Sequence, residues 1–396
     1  MDKNIRFGFW NYVESGTFGK EMVKEWKAMG FHIPMSFDFD VEKHDKSQML
    51  EILDECEKEG LQLIIRDKRT RFRTYLKKSR EEFIAGVREA YADFGRHKGA
   101  FGFFAGDEPV RSEEQALIET IKILLEEMPD LTPFSNVFPY WSGSDFDMQT
   151  GRDSGYFKGT MEKILGESKT PLIAYDHYTQ CLDENYNQET GVNSYFYDLD
   201  SFYKVSKQYG IPFYLSALCV GHWMYRTPTE DDIRWQIYTA LAHGARGIVW
   251  FHLYNVKFNG SSYRGAPFFG PQARHTETYE YMLRQQQIFN LNYKEIFDKI
   301  EMTEVYHTAH IYDPAKRFCE DEYVLTVNGK HSYPTIITYY KEMDSEEKWL
   351  SVVNAHQRHA NYVTVNFKNG KKLACWLAPG EMKLVKLGEI FNGPSN

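Results

Sequence analysis

The sequence predicts an α/β fold, a (β/α)8 TIM barrel followed by a small antiparallel β-domain. Strand-like and helix-like segments alternate eight times over roughly the first 290 residues, which is typical of such a barrel. The first strand–helix turn, residues 11–19, has no GxGxxG motif, and this disfavours a doubly wound dinucleotide-binding sheet. After about residue 300 the pattern changes to the polar–apolar alternation of antiparallel strands.

Each barrel element is predicted from its hydrophobic period and from the glycine or proline that stops it. Short apolar or alternating runs predict eight strands, Ile5–Tyr12, His32–Phe39, Leu61–Asp67, Ala100–Asp107, Thr132–Phe138, Leu172–Tyr178, Pro212–Cys219 and Ala245–Tyr254. Amphipathic segments predict the helices Lys20–Met29, Ser47–Glu59, Arg80–Phe94, Ser112–Met128, Tyr156–Leu165, Ser201–Tyr209, Glu230–His243 and Glu277–Phe289. Gly30, Gly60, Gly210 and Gly244 end four of these helices, and Pro129 follows another.

The C-terminal region is predicted to be a β-sandwich-like domain. Its expected strands are Tyr323–Val327, Thr335–Tyr340, Trp349–Asn354, Tyr362–Phe367 and Lys383–Leu387. Asn328-Gly329 and Asn369-Gly370 predict turns. We therefore divide the chain into a catalytic barrel, residues 1–298, and a C-terminal domain, residues 299–396.

Composition limits the classes of partner. The net charge of −9 argues against nucleic acid, and no apolar run reaches the roughly 18 residues of a membrane span. The five cysteines show no disulfide or zinc spacing, and the N-terminus has no signal pattern, so the protein is expected to be cytoplasmic or exported after a signal is removed. Aromatic residues make up 16% of the chain, which favours a carbohydrate partner because rings stack on sugars.

The most informative segment is the fourth predicted strand, which ends in Gly106-Asp107-Glu108-Pro109. Adjacent carboxylates at the end of a buried strand are unfavourable unless something there uses them. An alternative is that they mark the start of a helix, where acids interact favourably with the helix dipole.

The other strands also end in polar or aromatic residues, and in a barrel these ends meet on the catalytic face. The candidate substrate-binding residues are Trp10, Asn11, Asp38, Arg66, Asn136, Tyr178, His222, Trp223, Trp250 and His252. Asp176, at the end of strand six, is a further catalytic candidate. Together they predict a polar cleft lined with rings.

At this point the chain resembles the clan A glycoside hydrolases, barrels whose fourth strand ends in an Asn-Glu or Asp-Glu pair. The likeness rests on residues 106–109, on the strand-eight region 245–252 leading into 265–270, and on the closing hairpin around 377–384. It spans most of the chain but places it in no single family. The resemblance implies that Glu108 is the general acid/base, with the Asp107 charge raising its pKa.

The same resemblance implies a nucleophilic glutamate at the end of strand seven, and Phe213–Cys219 has no carboxylate. Two alternatives remain open. Asp107 could orient a 2-acetamido group of the substrate, as in retaining β-N-acetylhexosaminidases, with Tyr178 completing the pocket. Asp176 could instead be the nucleophile or the base for a water, at a carboxyl separation of about 5–5.5 Å or about 6.5–9.5 Å respectively.

A basic segment follows strand three, on the expected catalytic face. Arg66, Lys68, Arg69, Arg71, Arg73, Lys77, Lys78 and Arg80 lie within 15 residues that contain one acid, Asp67. It is either a solvated loop or an outer subsite for an anionic glycan, in which Arg69 and Arg71 would bind the charge.

The substrate is therefore expected to be an oligosaccharide or glycoconjugate, and no cofactor is expected. Two rival functions remain. One is a metal-dependent barrel hydrolase, such as a deacetylase, using His177, His222, His252 and Asp176, although their spacing matches no ligand motif. The other is a barrel that binds glycans without cleaving them.

Overall fold

The barrel is formed by eight parallel strands. The structure, a computed structural model, describes residues 4–139, 157–182, 188–255 and 263–392. The strands are β1 (Arg6–Phe9), β2 (Met35–Phe39), β3 (Leu63–Asp67), β4 (Ala100–Asp107), β5 (Thr132–Val137), β6 (Ile173–Asp176), β7 (Phe213–Leu218) and β8 (Gly247–Phe251). They pair in the order β1-β8-β7-β6-β5-β4-β3-β2, and a parallel bridge between Gly8 and Ile33 joins the two ends. The predicted barrel is confirmed.

Helices follow the strands and surround them. The main ones are Glu21–Ala28, Ser47–Glu59, Arg80–Ala90, Glu114–Glu127, Phe157–Ser168, Gln188–Tyr209, Glu230–Ala242 and Glu277–Asn292, with short helices at Phe72–Tyr75, Lys294–Phe297 and Leu387–Asn392. Gly60 caps its helix in the left-handed conformation, as its position after the apolar period predicts. The helix that ends at Tyr209 begins 13 residues before the predicted Ser201.

Two apolar cores hold the barrel together. A small cluster fills its interior with side chains that include Met35, Ile64, Phe134 and Val249. A larger cluster lies between the strands and the helices. Successive residues of each strand alternate between these two cores, so the parity of a residue decides whether it faces the interior of the barrel.

The C-terminal domain packs two mainly antiparallel sheets face to face. After short strands β9–β11 (Tyr254–Asn255, Phe268–Phe269, Arg274–His275), its strands are β12 (Ile300–Thr308), β13 (Lys316–Arg317), β14 (Val324–Gly329), β15 (Thr335–Glu342), β16 (Lys348–Asn354), β17 (Asn361–Phe367), β18 (Lys372–Leu377) and β19 (Met382–Lys386). One sheet has the order β13-β12-β15-β16-β19 and the other β14-β17-β18.

The turns and strands of this domain match the prediction only in part. The Asn369-Gly370 turn joins β17 to β18, as expected of a hairpin. Asn328-Gly329 instead belongs to the end of β14, which pairs with β17, and the chain then crosses to the other sheet. Strands β12, β13 and β18 were not predicted.

The two parts of the chain make close contacts. The Trp235 indole donates to the Ala355 carbonyl at 2.8 Å, and the Thr338 hydroxyl donates to the Ala242 carbonyl at 3.0 Å. A Cβ at Gly380 would lie 2.2 Å from the Trp235 Cα, so only glycine fits at this contact. Among the described residues no helix has the length and apolar character needed to span a bilayer.

Candidate active site

The end of β4 is shaped to present Glu108. A Cβ at Gly106 would lie 2.1 Å from the Phe72 ring, so the strand can approach that ring only through a glycine. Glu108 then adopts a left-handed backbone conformation, φ +45°, and its amide donates to the Asn136 carbonyl at 3.0 Å. This conformation costs a non-glycine residue about 1–3 kcal/mol, and such strain is concentrated at functional sites.

Three carboxyl groups meet around one amide. The Asn136 side-chain nitrogen donates to Asp107 at 3.1 Å and to Asp176 at 2.8 Å, while its oxygen accepts from Ser216 at 3.1 Å. The Ser216 hydroxyl also accepts from the Trp10 indole at 3.1 Å, which leaves its own proton for Asn136. Strands β1, β7 and β5 therefore fix which end of the amide faces the acids.

Glu108 and Asp176 also hydrogen-bond directly to each other, so one of them carries a proton. Burial, followed by the charges of Asp176 and Asp107, raises the pKa of Glu108 to about 10. Burial and the neighbouring charge raise the pKa of Asp176 as well, and burial raises that of Asp107. Of the three acids Glu108 has the pKa raised furthest, so it is the one that most readily holds a proton at neutral pH.

The three acids lie in a cavity of about 280 Å³ whose other walls are mostly aromatic. It is lined by Trp10, Tyr12, Asp107, Glu108, Asn136, Asp176, Tyr178, His222, Trp223, Met224, Tyr225 and Phe251. We name it the carboxylate cavity. Trp223 is 74% exposed, so its ring lies at the cavity mouth with a face free to stack on a ligand.

A second cavity, of about 300 Å³, adjoins the first and is basic. Its lining is Trp10, Tyr12, Arg66, Lys68, Arg71, Phe72, Arg73, Thr74, Lys77, Phe104, Gly106 and Asp107. We name it the basic cavity. Trp10, Tyr12 and Asp107 line both, and the half-exposed Tyr12 ring stacks on Trp10 with the two centroids 6.2 Å apart.

The structure brings six of the ten predicted substrate-binding residues to these two cavities. They are Trp10, Asn136, Tyr178, His222 and Trp223 in the carboxylate cavity and Arg66 in the basic cavity. The three predicted catalytic residues, Asp107, Glu108 and Asp176, share the carboxylate cavity. Their roles remain predictions.

Four predicted residues line neither cavity. Asn11 is buried, where its amide donates to the Met35 carbonyl and accepts from the Val13 amide. Asp38 forms an ion pair with Arg71. The buried His252 ring lies behind the wall, with its centroid 5.4 Å from that of Tyr12.

Trp250 is the clearest correction among these four. It is fully buried in the outer core, where its indole donates to Gln286 at 3.1 Å, so the predicted substrate contact is wrong. The next residue, Phe251, lines the carboxylate cavity. Neighbouring residues of a strand point to opposite faces, so Trp250 enters the outer core while Phe251 faces the cavity. The sequence did not show which aromatic residue of this run points inward.

Sequence reasoning also missed Tyr12, Met224, Tyr225, Ser216 and Phe251. Tyr12 and Phe251 directly follow residues that were singled out, so an error of one position explains them. Ser216 occupies the strand that lacks a carboxylate, and its role in orienting Asn136 depends on contacts between distant strands.

Arg69 does not belong to the basic cavity. It is buried and forms ion pairs with Asp67 at 2.7 Å and with Asp93 at 2.8 Å. The prediction that Arg69 binds an anionic ligand is therefore wrong, because its guanidinium is already occupied by two carboxylates. The predicted partner Arg71 does line the cavity.

The histidines of the metal-site alternative do not converge. His177 is buried against Asp198 at 2.6 Å, and His222 packs among aromatic rings, with its centroid 5.2 Å from Phe251. Within the described parts of the chain, no three side chains of metal-ligand type are grouped so that they could hold an ion. The histidine and acid positions thus do not match the metal-dependent hydrolase prediction.

No protein-family profile matches the sequence, and no curated protein matches it significantly. Solved structures do resemble it. A β-galactosidase from a psychrophilic Marinomonas aligns with a TM-score of 0.55 and 12% identity over 74% of this chain and 60% of that chain. The β-galactosidase from Rahnella sp. R3 aligns with a TM-score of 0.56 and 11% identity over 76% and 58%.

A putative α-L-fucosidase from Bacteroides thetaiotaomicron aligns with a TM-score of 0.50 and 12% identity, over 74% of this chain and 97% of that one. The chain spans about 60% of the length of the two β-galactosidases. At such identities the likeness concerns the fold. The chain therefore shares its barrel with these structures, and the predicted resemblance to barrel glycoside hydrolases is confirmed at that level.

Proposed function

We propose that the protein hydrolyses glycosidic bonds, with Glu108 as general acid and then general base. One observation carries the proposal. Glu108 is held in a left-handed backbone conformation at the end of β4, hydrogen-bonded to Asp176 in a cavity lined by aromatic rings. The fold neighbours named as β-galactosidases and as a putative α-L-fucosidase support a carbohydrate substrate.

The protonation of Glu108 suits the first step. A departing alkoxide needs a proton, and a carboxyl group can supply it at neutral pH only if its pKa is raised. Burial and two neighbouring carboxylates raise the pKa of Glu108 in this way. After the transfer Glu108 is an anion that can take a proton from the attacking water.

Asp176 is the second carboxylate that we favour. It contacts Glu108 directly, and Asn136 holds it at 2.8 Å. A hydrogen bond places the two carboxyl groups closer than the about 5–5.5 Å of retaining enzymes or the about 6.5–9.5 Å of inverting ones. We infer that a bound sugar pushes the two carboxyl groups apart. The retaining separation requires the smaller movement, so we favour a retaining enzyme with Asp176 as nucleophile.

Substrate assistance is the competing route. Asp107 lines the cavity, and Tyr178 lies across it with its ring centroid 5.5 Å from that of Phe251. These two residues could hold a 2-acetamido group, the first by accepting its N–H and the second by its hydroxyl. The route predicts activity confined to 2-acetamido sugars.

The test is hydrolysis of 4-nitrophenyl glycosides, including galactosides, fucosides and 2-acetamido sugars. The wild type should release nitrophenol, and Glu108→Gln should lose about 10³-fold in kcat. Glu127→Gln is the matched control, because Glu127 pairs with Arg88 and lines neither cavity. Equal turnover by Glu108→Gln and the wild type would exclude the proposal.

A second experiment separates the two routes. Azide should restore turnover to Asp176→Gly and yield a glycosyl azide if Asp176 is the nucleophile. Inhibition by a thiazoline, together with hydrolysis of 2-acetamido sugars alone, would instead assign the nucleophile to the substrate.

A further inference from the structure

The basic cavity is unusual in an acidic protein. Five cationic side chains line it, Arg66, Lys68, Arg71, Arg73 and Lys77, in a chain whose net charge is −9. Its single acidic lining residue is Asp107, whose pKa is raised mainly by burial. A concave site lined by one sign of charge concentrates ligands of the opposite sign.

Two of these cations lie close to one aromatic ring. The Arg66 guanidinium carbon lies 5.5 Å from the Phe104 centroid, and that of Arg71 lies 5.4 Å from the same centroid. The two like charges are therefore near neighbours, and burial together with the Arg71 charge lowers the pKa of Arg66. Guanidinium groups stay charged in proteins, so this repulsion is not relieved by loss of a proton.

Hydrogen-bonding capacity is left over at the same place. The Nε atoms of Arg66 and Arg71 are buried and make no hydrogen bond within the described parts of the chain. Arg66 is 7% exposed and donates from Nη1 to the Asn11 carbonyl, a neutral acceptor. Arg71 is fixed from the other side by Asp38.

Carboxylates of the protein neutralise only part of the charge. Lys68 pairs with Asp40 at 2.7 Å and Arg73 with Glu113 at 3.1 Å. Lys77 and Arg66 form no ion pair with any described residue. Two positive charges of the cavity are therefore left outside its ion pairs, against the single carboxyl group of Asp107.

We propose that the basic cavity binds the anionic substituent, a carboxylate or a sulfate, of the sugar next to the cleaved bond. The position of that bond rests on the proposed function. The charge selectivity does not, since it depends only on Arg66, Arg71 and Lys77. Because Trp10, Tyr12 and Asp107 line both cavities, a chain lying across Tyr12 would present one ring to Glu108 and the next to the arginines.

The test measures binding, so that it does not depend on catalysis. Labelled Glu108→Gln protein is applied to an array of uronate-containing and sulfated oligosaccharides printed beside their neutral counterparts. Acidic members should bind at least tenfold more tightly than the neutral ones. The uronate and sulfate arms show which anion is recognised.

Variants assign the selectivity to the cavity. In the Glu108→Gln background, Arg71→Gln should lose about tenfold in affinity for acidic members and leave neutral ones unchanged. Lys77→Gln breaks no ion pair and should lose a few-fold, which keeps the test valid if Arg71→Gln does not fold. Arg88→Gln is the control, because it removes one positive charge far from the cavity, where Arg88 pairs with Glu127.

Equal binding of acidic and neutral glycans would overturn the inference, as would an equal loss in Arg88→Gln. Acid-selective binding, combined with no hydrolysis of any glycoside by the wild type, would uphold the anion subsite and overturn the proposed function. The two failures are thus distinguishable.

Discussion

The carboxylate cavity and the basic cavity adjoin each other and relieve like-charge repulsion in opposite ways. In the first, Asp107 and Asp176 share the Asn136 amide, and burial and the charges of these two acids raise the pKa of Glu108. In the second, Arg66 and Arg71 keep their charges beside the Phe104 ring. Carboxyl groups can be neutralised by a proton, whereas guanidinium groups need a counter-ion. The first cavity can therefore hold a proton, as the proposed chemistry requires, and the second keeps a charge that the proposed binding would use.

The largest expected effect separates these two roles by kinetics. Glu108→Gln should lower kcat by about 10³-fold on every substrate, because it removes the transferable proton. Arg71→Gln should raise KM for acidic substrates by about tenfold and leave kcat nearly unchanged, because it removes ground-state binding. Steady-state kinetics on one acidic and one neutral oligosaccharide measure both effects. A kcat loss in Arg71→Gln as large as that in Glu108→Gln would show that the two cavities do not have separate catalytic and binding roles.

The next effect concerns the pH dependence of kcat/KM. Since the charge of Asp176 contributes to the raised pKa of Glu108, Asp176→Asn should lower that pKa and move the alkaline limb of the residual activity down by about one pH unit. Glu127→Gln, which alters an ion pair outside both cavities, should leave the limb in place. An unchanged limb in Asp176→Asn would contradict the coupling between the two acids.

A smaller effect is expected on stability. A carboxyl group whose pKa is raised in the folded state keeps a proton that the unfolded chain has lost, so its contribution to stability falls as pH rises from its ordinary pKa towards the raised one. Glu108→Gln removes this term, and its Tm should exceed that of the wild type by a few degrees at pH 9 but not at pH 4. Differential scanning calorimetry at the two pH values measures it. A variant less stable than the wild type at pH 9 would show that Glu108 stabilises the fold.

The smallest effect tests the basic cavity. Asp38 pairs with Arg71, so Asp38→Asn should free that guanidinium and strengthen binding of acidic glycans by about two- to threefold. Glu127→Gln removes one negative charge far from the cavity and is the control. Weaker binding by Asp38→Asn would mean that the ion pair positions Arg71 for the ligand.

Much of the fold could be predicted from local patterns. Apolar runs and glycine stops define the eight strand–helix units, and the end of β4 at Asp107 matches its prediction. The strands of the β-domain were harder to predict from the sequence. The turn signal at Asn328-Gly329 was misleading, because the pairing of β14 with β17 depends on a contact between segments distant in sequence.

The candidate site divides in the same way. Placing Glu108, Asp107 and Asp176 on one face required only that barrel strands end together. Trp250 and Arg69 could be excluded as ligand-binding residues only from the structure. It shows which way the Trp250 ring points and that Arg69 is already paired with carboxylates.

By itself the sequence determined a barrel, the face on which its strand ends meet and an acidic pair at the end of β4, because periodicity and stop residues act over short distances. Only the tertiary structure decided that Asn136 bridges two acids, that Glu108 has the most strongly raised pKa of the three, and that Arg66 and Arg71 line a neighbouring cavity. Repulsion and desolvation depend on distances between groups far apart in the chain, and folding alone sets those distances.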